Sequence, residues 1–151
     1  MSMKLNPQHT VPTLVDNGFV LWESRAICLY LAEKYDKDGT NYPKDPASRA
    51  TIYQRLFFNL CTLYKNLADY YFCEWYGTTK TPEGLEKIKG NKKLTIADFV
   101  SFTTISSFEV PGFDVSPYPN VQKWLKMMKE TAPGQELNEQ GLAVLRNHLR
   151  T

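Results

Sequence analysis

Three short clusters hold the residues whose types and spacing could do chemistry: His9, the pair Val11-Pro12, and the run Glu23-Ser24-Arg25. Glu23-Ser24-Arg25 stands where a helix begins. Unpaired N–H groups, the helix dipole and the Ser24 hydroxyl favour a carboxylate at such a point. Arg25 adds a charge-assisted donor, and Glu23 offers an ammonium group a partner. A plain helix cap with solvated neighbours would use the same residues. Val11-Pro12 precedes a strand, and proline keeps Val11 extended. With a cis bond, the Val11 N–H and C=O would point off the sheet, where a peptide-like ligand could pair with them as an added strand. An ordinary strand-start proline also fits. His9, two residues earlier, could donate to a second carboxylate or serve only as a solvated loop residue.

The elements that must position these residues are legible around them. Thr13-Leu14-Val15 and Phe19-Val20-Leu21-Trp22 are β-branched and apolar runs separated by Asp16-Asn17-Gly18. Asn-Gly supplies the two positive-φ residues of a type I′ hairpin turn. Ser24 reads as the N-cap of a helix of about three turns through Tyr35. Residues 36–46, rich in Asp, Gly, Asn and Pro, read as a connection. Asp45-Pro46 is a cap followed by proline at the first helical position. From Ala47 to about Tyr76 there is no Pro or Gly. Ile52, Leu56, Leu60, Leu63 and Leu67 predict the buried stripe of one long amphipathic helix. Nine of the chain's 20 aromatic residues lie in it, which suits a core stripe or an apolar pocket with hydroxyl handles.

Thr95 and Asp98 form a capping box with Asp in place of Glu, and Leu94 and Phe99 occupy the hydrophobic-staple positions. The uncharged run from Phe99 to Phe108 predicts a helix buried on most sides. Val121, Trp124, Leu125 and Met128 mark one face of a further helix after Pro119. Leu142, Leu145 and Leu149 mark a last one.

The 151-residue chain is 42% hydrophobic and carries a formal net charge of +2. That balance gives no electrostatic case for nucleic acid or an anionic membrane. Cys28, Cys61 and Cys73 are an odd set without CxxC spacing, so neither a zinc site nor a disulfide framework is expected. Cys28 and Cys61 lie in apolar helical runs and read as buried thiols. The N-terminal residues have no signal-peptide core, and the longest uncharged apolar run, Ala26 to Ala32, is too short to span a bilayer. The expected location is cytoplasmic. No HExxH, P-loop, GxSxG or GxGxxG motif is present.

The stretch NPQHTVPTLVDNGFVLWESRAICLYLAEKY resembles the second half of the N-terminal domain of a cytosolic glutathione S-transferase, nearest the insect delta class. YPKDPASRATIYQRLFFNLCTLY, LTIADF and SSFEVPGFDVSPYPNVQKWLKMMKETAPG resemble successive parts of its helical domain. The resemblance implies an α+β chain. A partial thioredoxin-like domain, hairpin plus helix, would occupy residues 1–37, a linker 38–46 and an all-helical domain 47–151. It implies glutathione as co-substrate, no metal, and conjugation of glutathione to small hydrophobic electrophiles. His9 would contact the glycine end of glutathione. Thr10 and Val11 would lie beside its cysteinyl part, with Pro12 as the cis-proline. Glu23, Ser24 and Arg25 would hold the γ-glutamyl end. Tyr64, Phe72 and Tyr76 fall where the family lines its hydrophobic-substrate pocket. Phe57 falls near the subunit interface of a homodimer.

The family's catalytic serine stabilises the glutathione thiolate, the reaction's nucleophile. It belongs to a strand-helix-strand unit of roughly 30 or more residues that would precede residue 1, so no catalytic residue is expected in this sequence. The region between Tyr76 and Leu94 is also shorter than the family's by about one helix, on the order of 11 or more residues. The alternative implied function is a catalytically impaired, truncated transferase acting as a glutathione-binding or dimerising interaction protein.

Overall fold

The computed structural model describes residues 5–69 and 94–148. The elements among these residues are two strands, β1 (Thr13–Asp16) and β2 (Phe19–Trp22), and five helices. These are α1 (Ser24–Tyr35), α2 (Pro46–Phe58), α3 (Ile96–Glu109), α4 (Pro119–Thr131) and α5 (Gln135–His148), with a π-helical segment, Asn59–Tyr64, following α2. By compactness the chain divides into two units, the first ending at Ile52 and the second starting at Tyr53.

In the first unit, β1 and β2 pair antiparallel, with Asp16 opposite Phe19 and Thr13 opposite Trp22. Asn17 (φ 49°) and Gly18 (φ 86°) make the turn, the left-handed pair that matches the twist of a two-residue hairpin. Helix α1 lies along β2. At the turn, the Asp16 carboxylate accepts from the Tyr30 hydroxyl at 2.8 Å and from the Lys34 ammonium, while the Phe19 and Tyr30 rings meet at 5.3 Å. The stretch after α1 is tightly tied. Asp36 accepts from the N–H groups of Asn41 (2.9 Å) and Tyr42 (2.6 Å). Tyr42 is buried under the Arg49 guanidinium, 4.4 Å from its ring, and Arg49 also donates to the Pro43 carbonyl and pairs with Glu33. Asp45 caps α2, its carboxylate accepting from the Ser48 N–H at 2.8 Å.

In the second unit, Leu63, Leu67, Phe102, Ile105, Val121, Trp124, Leu125, Met128 and Ala132 form the core. Asp98 sits at its edge. Its carboxylate accepts from the Thr95 N–H (2.8 Å), the Thr95 hydroxyl (2.9 Å) and the Trp124 indole N–H (3.3 Å). The capping box therefore joins the start of α3 to α4. Leu94 and Phe99 pack against the same core.

Three expectations need correction. Glu23, not Ser24, occupies the cap position of α1, and Ser24 is the first helical residue. Leu60 is not on the buried stripe: the buried positions are Ile52, Leu56, Asn59, Leu63 and Leu67. In an α-helix each step of four residues drifts by about 40°. Two consecutive steps of four, from 59 to 63 to 67, would turn away from the core. The wider π-helical turn absorbs that drift and leaves Leu60 and Cys61 outward. Cys61 is thus an exposed thiol, because it lies on the outer side of that turn. Cys28 is half-buried, and burial pushes its thiol pKa up. Cys73 and the final part of the expected long helix lie outside the described residues.

Candidate functional site

The hairpin register decides which of the chemically suggestive residues come together. Thr13 pairs with Trp22, so the segments entering β1 and leaving β2 are neighbours at the open end of the ribbon. Cross-strand partners lie roughly 5 Å apart. Residues 9–12 and 23–25 therefore flank one end of the hairpin, each within four residues of a paired position.

On the entering side the Val11–Pro12 peptide bond is cis. Val11 is 82% exposed, and its backbone makes no hydrogen bond to the described residues. A peptide bond offered to solvent beside a strand is suited to pairing with an extended ligand. His9 is exposed and held at φ 55°, its N–H donating to the Asn6 carbonyl at 3.1 Å. Thr10 is exposed too, but its carbonyl and hydroxyl face inward onto Asn6 at 2.8 and 3.1 Å.

On the leaving side Glu23 adopts φ 72°, ψ 103°, a backbone conformation that non-glycine residues avoid. Residues held this way concentrate at binding sites, because surrounding structure must offset their cost of order 1–3 kcal/mol. Here the turn from β2 into α1 does so: the Glu23 carbonyl accepts the first helical bond, from Ile27 N–H at 3.0 Å. The Arg25 guanidinium donates to the Ser24 hydroxyl at 2.8 Å. A carboxylate approaching this helix start meets the positive end of the α1 dipole and a cation already turned toward it.

Asn6 is a residue that the motif-based reading missed. Its signal was Asn6-Pro7, a turn-forming dipeptide whose first residue bonds to its own backbone two residues on. The Gln8 N–H does donate to the Asn6 Oδ1 at 2.9 Å. Burial of Asn6 had no sequence signal, since an asparagine in a polar loop is ordinarily exposed.

Of the expected pocket residues, Tyr64 lies in the π-helical segment of the second unit. It is 45% exposed, and its ring meets Phe108 edge-on at 6.1 Å. Phe72 and Tyr76 lie outside the described residues. No group of three or more His, Cys, Asp or Glu among the described residues is arranged to hold a metal ion. No helix among them is long and apolar enough to cross a membrane.

Residues 3–34 match the family model of the glutathione S-transferase N-terminal domain. Nearly the whole chain also superposes on solved insect transferases. A Nilaparvata lugens delta-class glutathione transferase is 40% identical, with TM-score 0.84, over 96% of this chain and 76% of that one. The chain belongs to the glutathione S-transferase family. Glutathione S-transferase 1-6 from Anopheles dirus species B is 39% identical, with TM-score 0.80, over 93% of this chain and 75% of that one. A Bombyx mori glutathione transferase is 36% identical, with TM-score 0.81, over 96% and 76%. In this delta-like member of the family, the hairpin and α1 are the matching portion of the thioredoxin-like domain, and the later helices are those of the helical C-terminal domain.

Proposed function

We propose that this transferase binds glutathione at the open end of the β1–β2 hairpin and serves its conjugation to small hydrophobic electrophiles, a cytoplasmic detoxification reaction. The observation that carries the reading is the hairpin register. It brings a solvent-facing loop backbone at Val11 and a dipole-bearing helix start at Glu23–Arg25 to one place. Glutathione is a γ-linked tripeptide with two carboxylates and one ammonium group, and each finds a complement. The Val11 backbone pairs with the cysteinyl amide, with Thr10 and Pro12 shaping the approach. Glu23 takes the ammonium, while Ser24, Arg25 and the first turn of α1 take the adjacent carboxylate. His9 takes the glycine carboxylate. Tyr64, with Phe72 and Tyr76, is assigned to the wall contacting the electrophile. The corresponding domain division is 1–37 for the glutathione-binding part, 38–46 for the linker and 47–151 for the helical part.

Calorimetric titration of the full chain with glutathione tests this reading. Binding is expected, and Glu23→Gln should weaken it by about tenfold through loss of one charge-assisted bond. Absence of binding by the wild-type chain would overturn it. Turnover with an activated chloroarene then separates conjugation from binding.

A second reading, glutathione binding and dimerisation without turnover, is supported by the exposed apolar residues Phe57 of α2 and Leu60 of the π-helical segment. Saturable glutathione binding by a dimer, with no conjugate formed, would establish it.

A further inference from the structure

The loop carrying His9, Thr10 and Val11 is exposed throughout, and the buried side chain of Asn6 ties it together, joined by the Thr13 hydroxyl, which donates to the Thr10 carbonyl at 3.3 Å. Asn6 is 1% exposed, whereas residues 7–12 all face solvent. Its Nδ2 donates to three acceptors: the Thr10 carbonyl (2.8 Å), the Thr10 hydroxyl (3.1 Å) and the Thr13 hydroxyl (3.0 Å). Two hydrogens serve three oxygens, so the bonds are shared. The Oδ1 accepts from the Gln8 N–H, and the Asn6 backbone carbonyl accepts from the His9 N–H. One residue thereby connects to positions 8, 9, 10 and 13, on both sides of the exposed Val11.

We infer that Asn6 is a positioning residue of the glutathione site, setting the Thr10–Val11 backbone and His9 at the geometry the tripeptide needs. The inference rests on the glutathione reading above. Its physical content lies in the amide itself. Only a neutral side chain with both an acceptor and two donor hydrogens satisfies this set of partners. The loop lies outside the β ladder, so lost amide bonds would not be replaced by strand pairing. A loop released from Asn6 samples many backbone states, and the ligand must then pay the ordering entropy on binding.

Asn6→Asp isolates the donor half. It keeps the oxygen facing Gln8 and sets a carboxylate oxygen against three oxygens that formerly accepted. The test is calorimetric titration of the full chain with glutathione, well below each variant's melting temperature. Binding of 1-anilinonaphthalene-8-sulfonate, an apolar fluorescent probe, is measured in parallel. Asn6→Asp should weaken glutathione binding by at least about tenfold while the probe affinity stays within about twofold. A purely structural residue would lower the melting temperature and leave glutathione affinity in the folded protein unchanged; that outcome overturns the inference. If Asn6→Asp does not fold, Thr13→Val removes one acceptor from the same amide, together with the Thr13 hydroxyl's own bond to the Thr10 carbonyl at 3.3 Å. It should weaken glutathione by about threefold, and unchanged affinity overturns the inference. Failure of the wild-type chain to bind glutathione overturns the site reading and this inference together. Wild-type binding with indifferent variants overturns the positioning role alone.

Discussion

Asp16 shows how much one side chain at a hairpin turn can coordinate. Its carboxyl is held below the ordinary value near 3.8, chiefly by the hydrogen bond from Lys34 and next by that from Tyr30. Lys34 is correspondingly held above its ordinary value, mainly by Asp16, and stays charged through the acid range. A depressed carboxyl pKa contributes stability that is complete above the unfolded value and disappears as pH falls through the lower folded value. The cluster is only partly covered, so salt weakens it. Urea unfolding of wild type and Asp16→Asn should show a stability gap at pH 6 that closes on acidification below about 4. A gap that stays constant to pH 3 would show that the ion pair contributes nothing through its charge. At this scale His9 and Glu23 differ from Asp16. Their left-handed backbones were not written in residue type, because neither is a glycine or a turn asparagine.

At the scale of elements, caps and turns outperformed the apolar count. The Asn17-Gly18 hairpin, the Asp45-Pro46 start of α2 and the Thr95–Asp98 box all depend on contacts within four residues. Each formed as its local pattern required. The Asp98 box also reaches across to Trp124, a contact no local pattern specifies. Asp98→Ala removes the acceptor from two donors of Thr95 and one of Trp124. It should cost about 1–3 kcal/mol in urea unfolding, the range for a lost cap plus unsatisfied donors. A change under about 0.5 kcal/mol would mean that water replaces these bonds at no net cost. The π-helical segment is the opposite case. Choosing Leu60 over Asn59 for the stripe follows apolarity. Asn59 is fully buried all the same, its amide donating to the Thr104 hydroxyl at 3.2 Å on α3. A buried amide is tolerated once it is bonded, and the partner lies 45 residues away.

For the molecule as a whole, the exposed apolar residues of the long helix pose the question of assembly. Phe57 is 64% exposed, with Leu60 also exposed further along. Scattered exposed apolar residues are ordinary, but a row along one helix is a candidate contact surface. If the chain forms the proposed homodimer through this row, light scattering should give a dimer for wild type and a monomer for Phe57→Glu. A charge buried without a partner costs more than a transient interface returns. A wild-type monomer, or a dimeric variant, would remove this row from the interface.

The sequence by itself determined the elements and the family. Turn residues, caps and apolar spacing act over a few positions, and the WESRAI and LTIAD stretches carry the resemblance that the superposed transferases bear out. It also named the residues at both ends of the hairpin. The predicted two-residue turn already implied that these segments share one end, and the structure shows that register, with Thr13 opposite Trp22. The tertiary structure also showed that Asn6 is buried and bonded to residues 8–13 of the entering segment, and that Asn59 faces the core. Burial of a polar side chain depends on partners elsewhere in space, and no local pattern encodes them.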